Sequence, residues 1–429
     1  MSAISSMSTA ISGLESNGEE LSIISDNIVN ANTTGFKSSR GEFHTILATD
    51  LNSAQSGSSI GRGTELAGVT GLFTQGSITK TDRPTDMAIQ GNGFFVLKGD
   101  SNHGTSYTRD GSFRFDKDGW LTALNGERVQ CFQATPEGKL TGKLGDLRIP
   151  YKTIPARATG TMQVNLNLDS RAPLSREFDP EHPEETSGYT TTAQVFDSVG
   201  TAHALSLHFN RVGQNRWSWV AMTDGSGMAG GTPGKQMTVA KGSLSFDELG
   251  RLANSEQDVV NSSFAGAIPD QKLFFDFGDP TDKGGTGVKG TTHYGSKNAT
   301  FRTVQDGFSA GILSGTDVDD NGIISGSYTN GQSVVIGQVS LARFESTERL
   351  NKMGGNQFSE SAASGKAIVG RASTNGFGAV VTKSLEQSNV DIAKEFVDMI
   401  KAQRGFQASA KSINSANEML DEVIKLART

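Results

Sequence analysis

A seven-residue repeat of apolar residues runs through the stretch 389–429, and it limits what the chain can fold into more than any other feature. Ile392, Met399, Phe406, Ile413 and Leu420 form one row, and Phe396, Gln403, Ala410, Asn417 and Ile424 form the next, over more than four heptads. A helix is expected there, reaching roughly 50–60 Å at about 1.5 Å per residue. Residues 1–30 carry the same spacing, with Met7, Leu14, Leu21 and Ile28 in one row and Ile4, Ile11, Gly18 and Ser25 in the other. Both chain ends are therefore expected to be helices that bury these seams. Small or polar residues at Gly18, Ser25, Gln403, Ala410 and Asn417 interrupt the rows, so neither seam is sufficient alone. Periodicity leaves two readings open: a two-helix hairpin or simple dimer, and helices that line an assembly of many subunits. Small residues permit close helix approach and leave a two-stranded core poorly filled, which leans towards the second.

Composition narrows the rest. A chain of 429 residues is expected to form two to four domains. With 52 glycines and only 35% hydrophobic residues, it reads as many short strands joined by tight turns. A net charge of −7 without a basic tail argues against nucleic acid or an anionic membrane as partner. No Lys or Arg precedes Lys37, while Glu15, Glu19, Glu20 and Asp26 do, so the N-terminus does not read as a cleaved secretory signal. No run approaches a membrane span. Cys131 is the single cysteine, which excludes an intramolecular disulfide, and its setting between Val129 and Phe132 reads as a buried strand thiol. If the protein is extracellular, its route out must need neither cleavage nor disulfides.

Along the chain, Asn30-Ala31-Asn32-Thr33-Thr34-Gly35 is expected to end the first helix near Asn30. Residues 31–70 and 361–387, rich in Ser, Gly, Thr and Asn, read as extended connections with little core. A first β-domain is expected over 71–150 and 291–360, with turns at Gly91-Asn92-Gly93, Asp110-Gly111, Asp118-Gly119, Asn125-Gly126, Asn321-Gly322 and Asn330-Gly331. A second, inserted β-domain is expected over 151–290, with strands at Thr190–Phe196, Ala204–Asn210, Trp217–Met222 and Leu273–Phe277. The layout is nested and mainly β, with 1–30 and 388–429 as helical ends.

Motifs for chemistry are weak. Gly57-Ser58-Ser59-Ile60-Gly61 fits a nucleophile elbow in spacing, but an elbow needs a strand before Ser59 and a helix after it. Asp317-Val318-Asp319-Asp320-Asn321-Gly322 matches the opening of a calcium loop, yet its twelfth position is Tyr328 where a bidentate Glu is required, so it reads as a hairpin turn. Gly91-Asn92-Gly93 precedes a strand, unlike a dinucleotide loop. The six histidines are scattered, and His203 and His208 should face opposite sides of one strand. No metal, cofactor or general acid–base pair is indicated, and no enzyme is expected.

Ser25-Asp26-Asn27-Ile28-Val29-Asn30-Ala31-Asn32-Thr33-Thr34-Gly35-Phe36-Lys37 resembles the N-terminal signature of bacterial flagellar rod and hook proteins, and Ser388-Asn389-Val390-Asp391 with Ala402-Gln403-Arg404-Gly405-Phe406 resembles the C-terminal one. Gln305-Asp306-Gly307-Phe308 and Tyr328-Thr329-Asn330-Gly331-Gln332 are similar to the central β-region of the hook members of that family. The resemblance covers 1–150 and 290–429 well and the middle loosely. It marks Asn27, Asn30, Asn32, Gly35, Phe36, Asn389, Gln403 and Arg404 as family-motif residues. Val29, Gly405 and Phe406 depart from the usual pattern, and Gly405 is expected to cost about 1 kcal/mol of helix stability relative to Ala.

What the resemblance implies is an axial protein whose terminal helices form a coiled-coil-like inner layer with two β-domains outside. It implies a homopolymer forming a short curved tube outside the cell, acting as a universal joint that passes motor torque to the filament. The distal rod, the hook cap, the hook–filament junction proteins and the flagellar export apparatus would be partners, and the chain would leave unfolded without a cleaved signal. Two alternatives stand beside this. The insertion at 151–290 argues against a distal-rod-type subunit, and the two terminal heptad segments argue against a secreted β-rich adhesin.

Overall fold

The computed structural model describes residues 2–46, 49–50, 59–99, 104–135, 138–149, 152–259 and 263–426. Helix α1 spans Ser2–Val29, and helix α2 spans Ile392–Leu426. The Asn30 side chain ends α1 by donating to the Asp26 carbonyl at 2.9 Å, and Gly35 then takes φ +68°, a turn geometry that a side chain would strain. Asp391 caps the start of α2, its Oδ1 accepting from the amides of Ala393 and Lys394 at 3.0 and 3.2 Å. Among the described residues between the helices the regular structure is β-strand, apart from short helical turns such as Pro183–Thr186.

Two compact units emerge. The first comprises residues 1–150, 315–326 and 333–429, and the second 151–314 with 327–332. The return from the second unit thus comes later than the 290 read from the sequence. Its cause is a long-range pairing: Ala299–Gln305 runs antiparallel to Thr161–Asn167 and is held there by that ladder.

In the first unit, the stretch expected as a bare connection pairs with itself. Ser39–Thr45 lies antiparallel to Thr64–Gly71, with a bulge after Glu42, because the main-chain polar groups of even a Ser- and Gly-rich segment need partners. The segment 361–387 likewise supplies short strands to the β body, at Ile368–Arg371, Ala379–Thr382 and Ser384–Glu386. The two apolar runs flanking Gly91-Asn92-Gly93 diverge. Met87–Gln90 pairs with Ala379–Thr382, whereas Phe94–Lys98 pairs with Thr105–Thr108.

Phe94–Lys98 is apolar at consecutive positions because both of its faces are covered. Phe95 and Leu97 join Val129, Cys131, Val339 and Leu341 in one core, while Phe94 and Val96 join Tyr107, Phe344 and Phe358 in another. Burial pushes the Cys131 thiol far above its usual range, so this strand thiol is an inert packing residue. The Asp319–Gly322 turn closes as a hairpin, with the Asp319 carboxylate accepting from the amides of Asn321 and Ile323. Gly57 and Ser58 of the elbow-like motif, and the side chain of Ser59, lie outside the described residues; Thr64–Gly71, a strand, follows it.

The second unit is a sandwich. A five-stranded antiparallel meander runs in chain order through Tyr189–Phe196, Ala202–Gly213, Arg216–Asp224, Gln236–Phe246 and Leu252–Val259. It shares a core with a three-stranded sheet in which Thr161–Asn167 lies between Phe274–Asp276 and Ala299–Gln305. Alternation sets the core: Leu205, Leu207 and Phe209, or Trp217, Trp219 and Ala221, all fully buried.

Two buried histidines make this unit acid-sensitive. Burial holds His208 and His293 below the usual imidazole range, opposed by Glu184 near the first and, near the second, by hydrogen bonds to the main chain of Leu168 and Gln214, with Arg211 adding to the shift. The unfolded chain therefore binds more protons than the folded one as pH falls through about 6.5, so stability is full above that pH and lost below it. Thermal unfolding of the second unit, followed by tryptophan fluorescence, should lose about 1–3 kcal/mol between pH 7.5 and 5. A midpoint unchanged or raised by acid would contradict the assignment of neutral histidines.

Candidate assembly site at the paired termini

α1 and α2 pack against each other within one chain, and small residues let them approach closely. Ala402 and Ala416 of α2 are each only 2% exposed. A Cβ placed on Gly13 would lie 3.1 Å from Ser409 Oγ, and one on Gly405 only 2.4 Å from Asn17 Oδ1. Gly405 thus lets the Asn17 amide sit against the α2 backbone, and a Cβ there would have to displace that side chain. Along α2 the buried or half-buried line runs through Glu395, Met399, Ala402, Gly405, Ser409, Ile413, Ala416 and Leu420.

This line corrects half of the heptad expectation. Met399, Ile413 and Leu420 are half-buried as expected, and Ala410 is too, but the seam's second row is Glu395, Ala402, Ser409 and Ala416. The row one residue further on points away: Phe396 is 50% exposed, Ile424 is 53% exposed, and Gln403 and Asn417 are exposed. Ile392, Val397, Ile400, Phe406 and Met419 are also exposed, as is Arg404. Small residues win the seam because helix axes come closest where side chains are smallest.

On α1, Met7, Leu14, Leu21 and Ile28 are half-buried and Ile11 is exposed; the Ile4 side chain lies outside the described residues. The residues most buried are Ser12, Ser16, Ile24 and Asn27, none of which the heptad rows contain. Ser16 bonds the Thr64 carbonyl at 3.2 Å, turning this face to the ladder Ser39–Thr45/Thr64–Gly71.

Both helices leave the β body through one knot of buried residues, 35–39. The Asn27 amide pairs with the main chain of Ser39 from both ends, accepting from its N–H at 2.8 Å and donating to its carbonyl at 2.9 Å. Asn389, just before α2, accepts from the Ser38 N–H at 2.8 Å and donates to the Leu72 carbonyl at 2.7 Å. The Gly35 N–H donates to the Glu386 carbonyl at 2.8 Å, and a Cβ on Gly35 would stand 2.5 Å from the Asp110 nitrogen. Phe36 is buried beside it. So Asn27, Gly35, Phe36 and Asn389 come together, Asn30 ends the helix, and Asn32, Gln403 and Arg404 stay on the surface.

Three charges at this knot escaped the sequence reading. Glu386, fully buried, accepts from Lys37 Nζ at 2.6 Å and from the Gly76 N–H at 2.9 Å with Oε1, and from Arg109 Nη1 at 3.2 Å with Oε2. Lys37 also donates to the Thr74 carbonyl at 2.7 Å, and Arg109 to the Gly91 carbonyl at 2.8 Å. Burial pulls the Lys37 ammonium below its usual range, opposed by the bond to Glu386. Among the described residues no group of His, Cys, Asp or Glu is arranged to hold a metal.

Known proteins match along the whole chain. A model described as flagella basal body rod protein covers residues 7–37, the flagellar hook protein FlgE/F/G D1 domain covers 88–167, the flagellar basal body protein FlaE D2 domain covers 165–308, and the flagellar basal body rod FlgEFG protein C-terminal covers 381–426. The flagellar hook protein FlgE of Treponema pallidum is 33% identical, with 99% of both chains covered. That of Escherichia coli strain K12 is 32% identical, covering 98% of this chain and 99% of the other. A crystal structure of the Helicobacter pylori flagellar hook protein FlgE2 matches in fold with a TM-score of 0.51 and 14% identity, over 72% of this chain and 100% of that one. Identity of a third with a full-length relative, together with family models at both helical ends and both β-regions, shows that the chain belongs to the flagellar hook protein FlgE family, the structural subunits of the bacterial flagellar hook.

Proposed function

We propose that the chain polymerises with its own copies into a curved, flexible tube that transmits torque from the rod to the filament, and that α2 supplies the contact between copies. One observation carries this: after α2 has paired with α1, Ile392, Phe396, Val397, Ile400, Phe406, Met419 and Ile424 still face solvent. So many large apolar side chains on one paired helix mark a surface completed by other molecules. Met399, Ala410, Ile413 and Leu420, with Met7, Leu14, Leu21 and Ile28 on α1, are half-buried and would finish their burial there, and Ile11 would extend it. Gln403 and Arg404 lie beside the apolar positions and would fix the register.

The role is structural, with no reaction and no cofactor. The distal rod, the hook cap, the hook–filament junction proteins and the export apparatus are the further partners in this reading. The segments 1–30 and 388–429 are the polymerising part, and the remaining β structure gives each subunit contacts that slide as the tube bends. Weak, wet contacts suit that cycle.

Phe396→Asp with Ile400→Asp tests the reading. Both positions are about half exposed in the single chain, so the folded monomer should keep its unfolding free energy within about 1 kcal/mol. Tubes visible by negative-stain microscopy for the unsubstituted protein should be absent for the variant. Normal tubes from a folded variant would remove this face of α2 from the subunit contact.

A further inference from the structure

We propose that Glu386 is a shared latch that makes the two chain ends dock onto the β body as one cooperative event. Its single carboxylate holds a cation from each side: Lys37, which follows α1, and Arg109, which belongs to the β body. Glu386 itself lies six residues before α2. Lys37 and Glu386 are fully buried as side chains, and Arg109 is 5% exposed.

The cluster therefore contains two cations and one anion, with Arg109 Nε lacking a partner. Arg109 also lies 5.3 Å over the ring of Phe94, away from water. If the N-terminal segment docked alone, Lys37 and Arg109 would be buried together with no carboxylate between them. If the C-terminal segment docked alone, the Thr74 carbonyl and the pocket for the ammonium would stay unfilled. A buried ion stripped of its partner costs far more than a complete set gains, so the state with only the N-terminal segment docked is strongly disfavoured, while the state with only the C-terminal segment docked keeps the Glu386–Arg109 pair and lacks the Lys37 bonds to Glu386 and Thr74. Backbone bonds reinforce the coupling, since Gly35 donates to the Glu386 carbonyl and Gly76 to its side chain. The N-terminal end therefore settles only when Glu386 is in place, and its ammonium completes the set, so α1 docks together with or after α2 and never ahead of it. This holds for the free monomer and does not depend on the tube.

Native-state hydrogen exchange on the full chain tests it. The amides of Gly35, Ser38, Ser39, Gly76 and Gln387, each bonded across the knot, should be protected to the same degree within about threefold, as one opening unit. In Glu386→Gln all five should lose protection together by about 100-fold, while Val129 and Val339 of the β body keep theirs. Adding Lys37→Met removes one of the two stranded cations and leaves Arg109 with its bond to the Gly91 carbonyl, and the double variant should regain at least about tenfold at Ser38 and Ser39. Should Glu386→Gln prove too unstable to purify, the double variant is still expected to fold and decides alone. Loosening confined to Gln387, loosening of the whole β body, or a double variant looser than the single one or unable to fold would each overturn the latch.

Discussion

Trp219→Ala should cost the second unit about 3–5 kcal/mol and leave the first unit untouched. Trp219 stands on the middle strand of the meander, fully buried, with its ring centroid 5.0 Å from those of Phe275 on the facing sheet and of Phe277 just after that strand. Its indole N–H has no hydrogen-bond partner, so removing the side chain forfeits no hydrogen bond, and the loss is that of burial and of the cavity left behind. Such a loss is a large fraction of what a domain of this size has to spare. Because Trp219 and its ring partners lie in the core shared by the meander and the sheet of Thr161–Asn167 and Ala299–Gln305, the damage should stay inside this unit. Calorimetry should show one transition moved down by roughly 10 °C or more and a second unmoved. Two transitions falling together would mean that the units do not fold separately.

What could be read from the sequence divides along physical lines. Local periodicity is written in neighbouring residues, so the two terminal helices and most strands of the meander were legible: alternation at 205, 207 and 209 or 217, 219 and 221 needs only the pleat. The face of α2 that meets α1 was not. A heptad offers two adjacent rows, and a reading weighted by hydrophobicity picks Phe396 and Ile424 over Ala402 and Ala416. Close packing makes the opposite choice, and the larger side chains are left outside. That inversion also bears on Gly405, a cost when helix propensity alone is counted and the position where the Asn17 amide meets α2.

Family resemblance pointed at Asn27, Gly35 and Asn389 without saying why those residue types are needed. The structure supplies the reason, since short amides can pair with the main chain of residues 38–39 from both helices at once. Glu386 lay beyond any local reading. Its partners are 349 and 277 residues away, and a single Glu in a short strand reads as an ordinary exposed position until those partners are placed. The late return from the second unit escaped for the same reason, because Thr161–Asn167 and Ala299–Gln305 carry no mutual signal in one sequence.

Ala402→Asp should release both chain ends from each other while Gln403→Asp, one residue on, should do almost nothing. Ala402 is 2% exposed at the centre of the seam, one turn from Gly405, where the Asn17 side chain already fills the space between the helices. A carboxylate there can stay ionised only if the helices part, and Asp also costs about 0.5–0.7 kcal/mol more than Ala in a helix interior. The seam offers it no cation: along the buried line of α2 the charged residue is Glu395, itself an anion, whose Oε2 accepts from Asn27 at 3.3 Å. The expected penalty, several kcal/mol, exceeds what two helices gain from small-residue packing, so α1 and the outer turns of α2 should become sensitive to protease. Gln403 faces solvent in the monomer, so Asp there should shift stability by about 0.5 kcal/mol or less. Limited proteolysis with mass mapping separates the two variants, and circular dichroism reports whether helix is lost as well. Equal protection of the ends in both would place the contact between α1 and α2 somewhere other than the Ala402–Ala416 line. A folded Gln403→Asp variant that nevertheless fails to form tubes would put the row of Phe396, Gln403 and Ile424 to use between subunits, while the Ala402–Ala416 line is used within one.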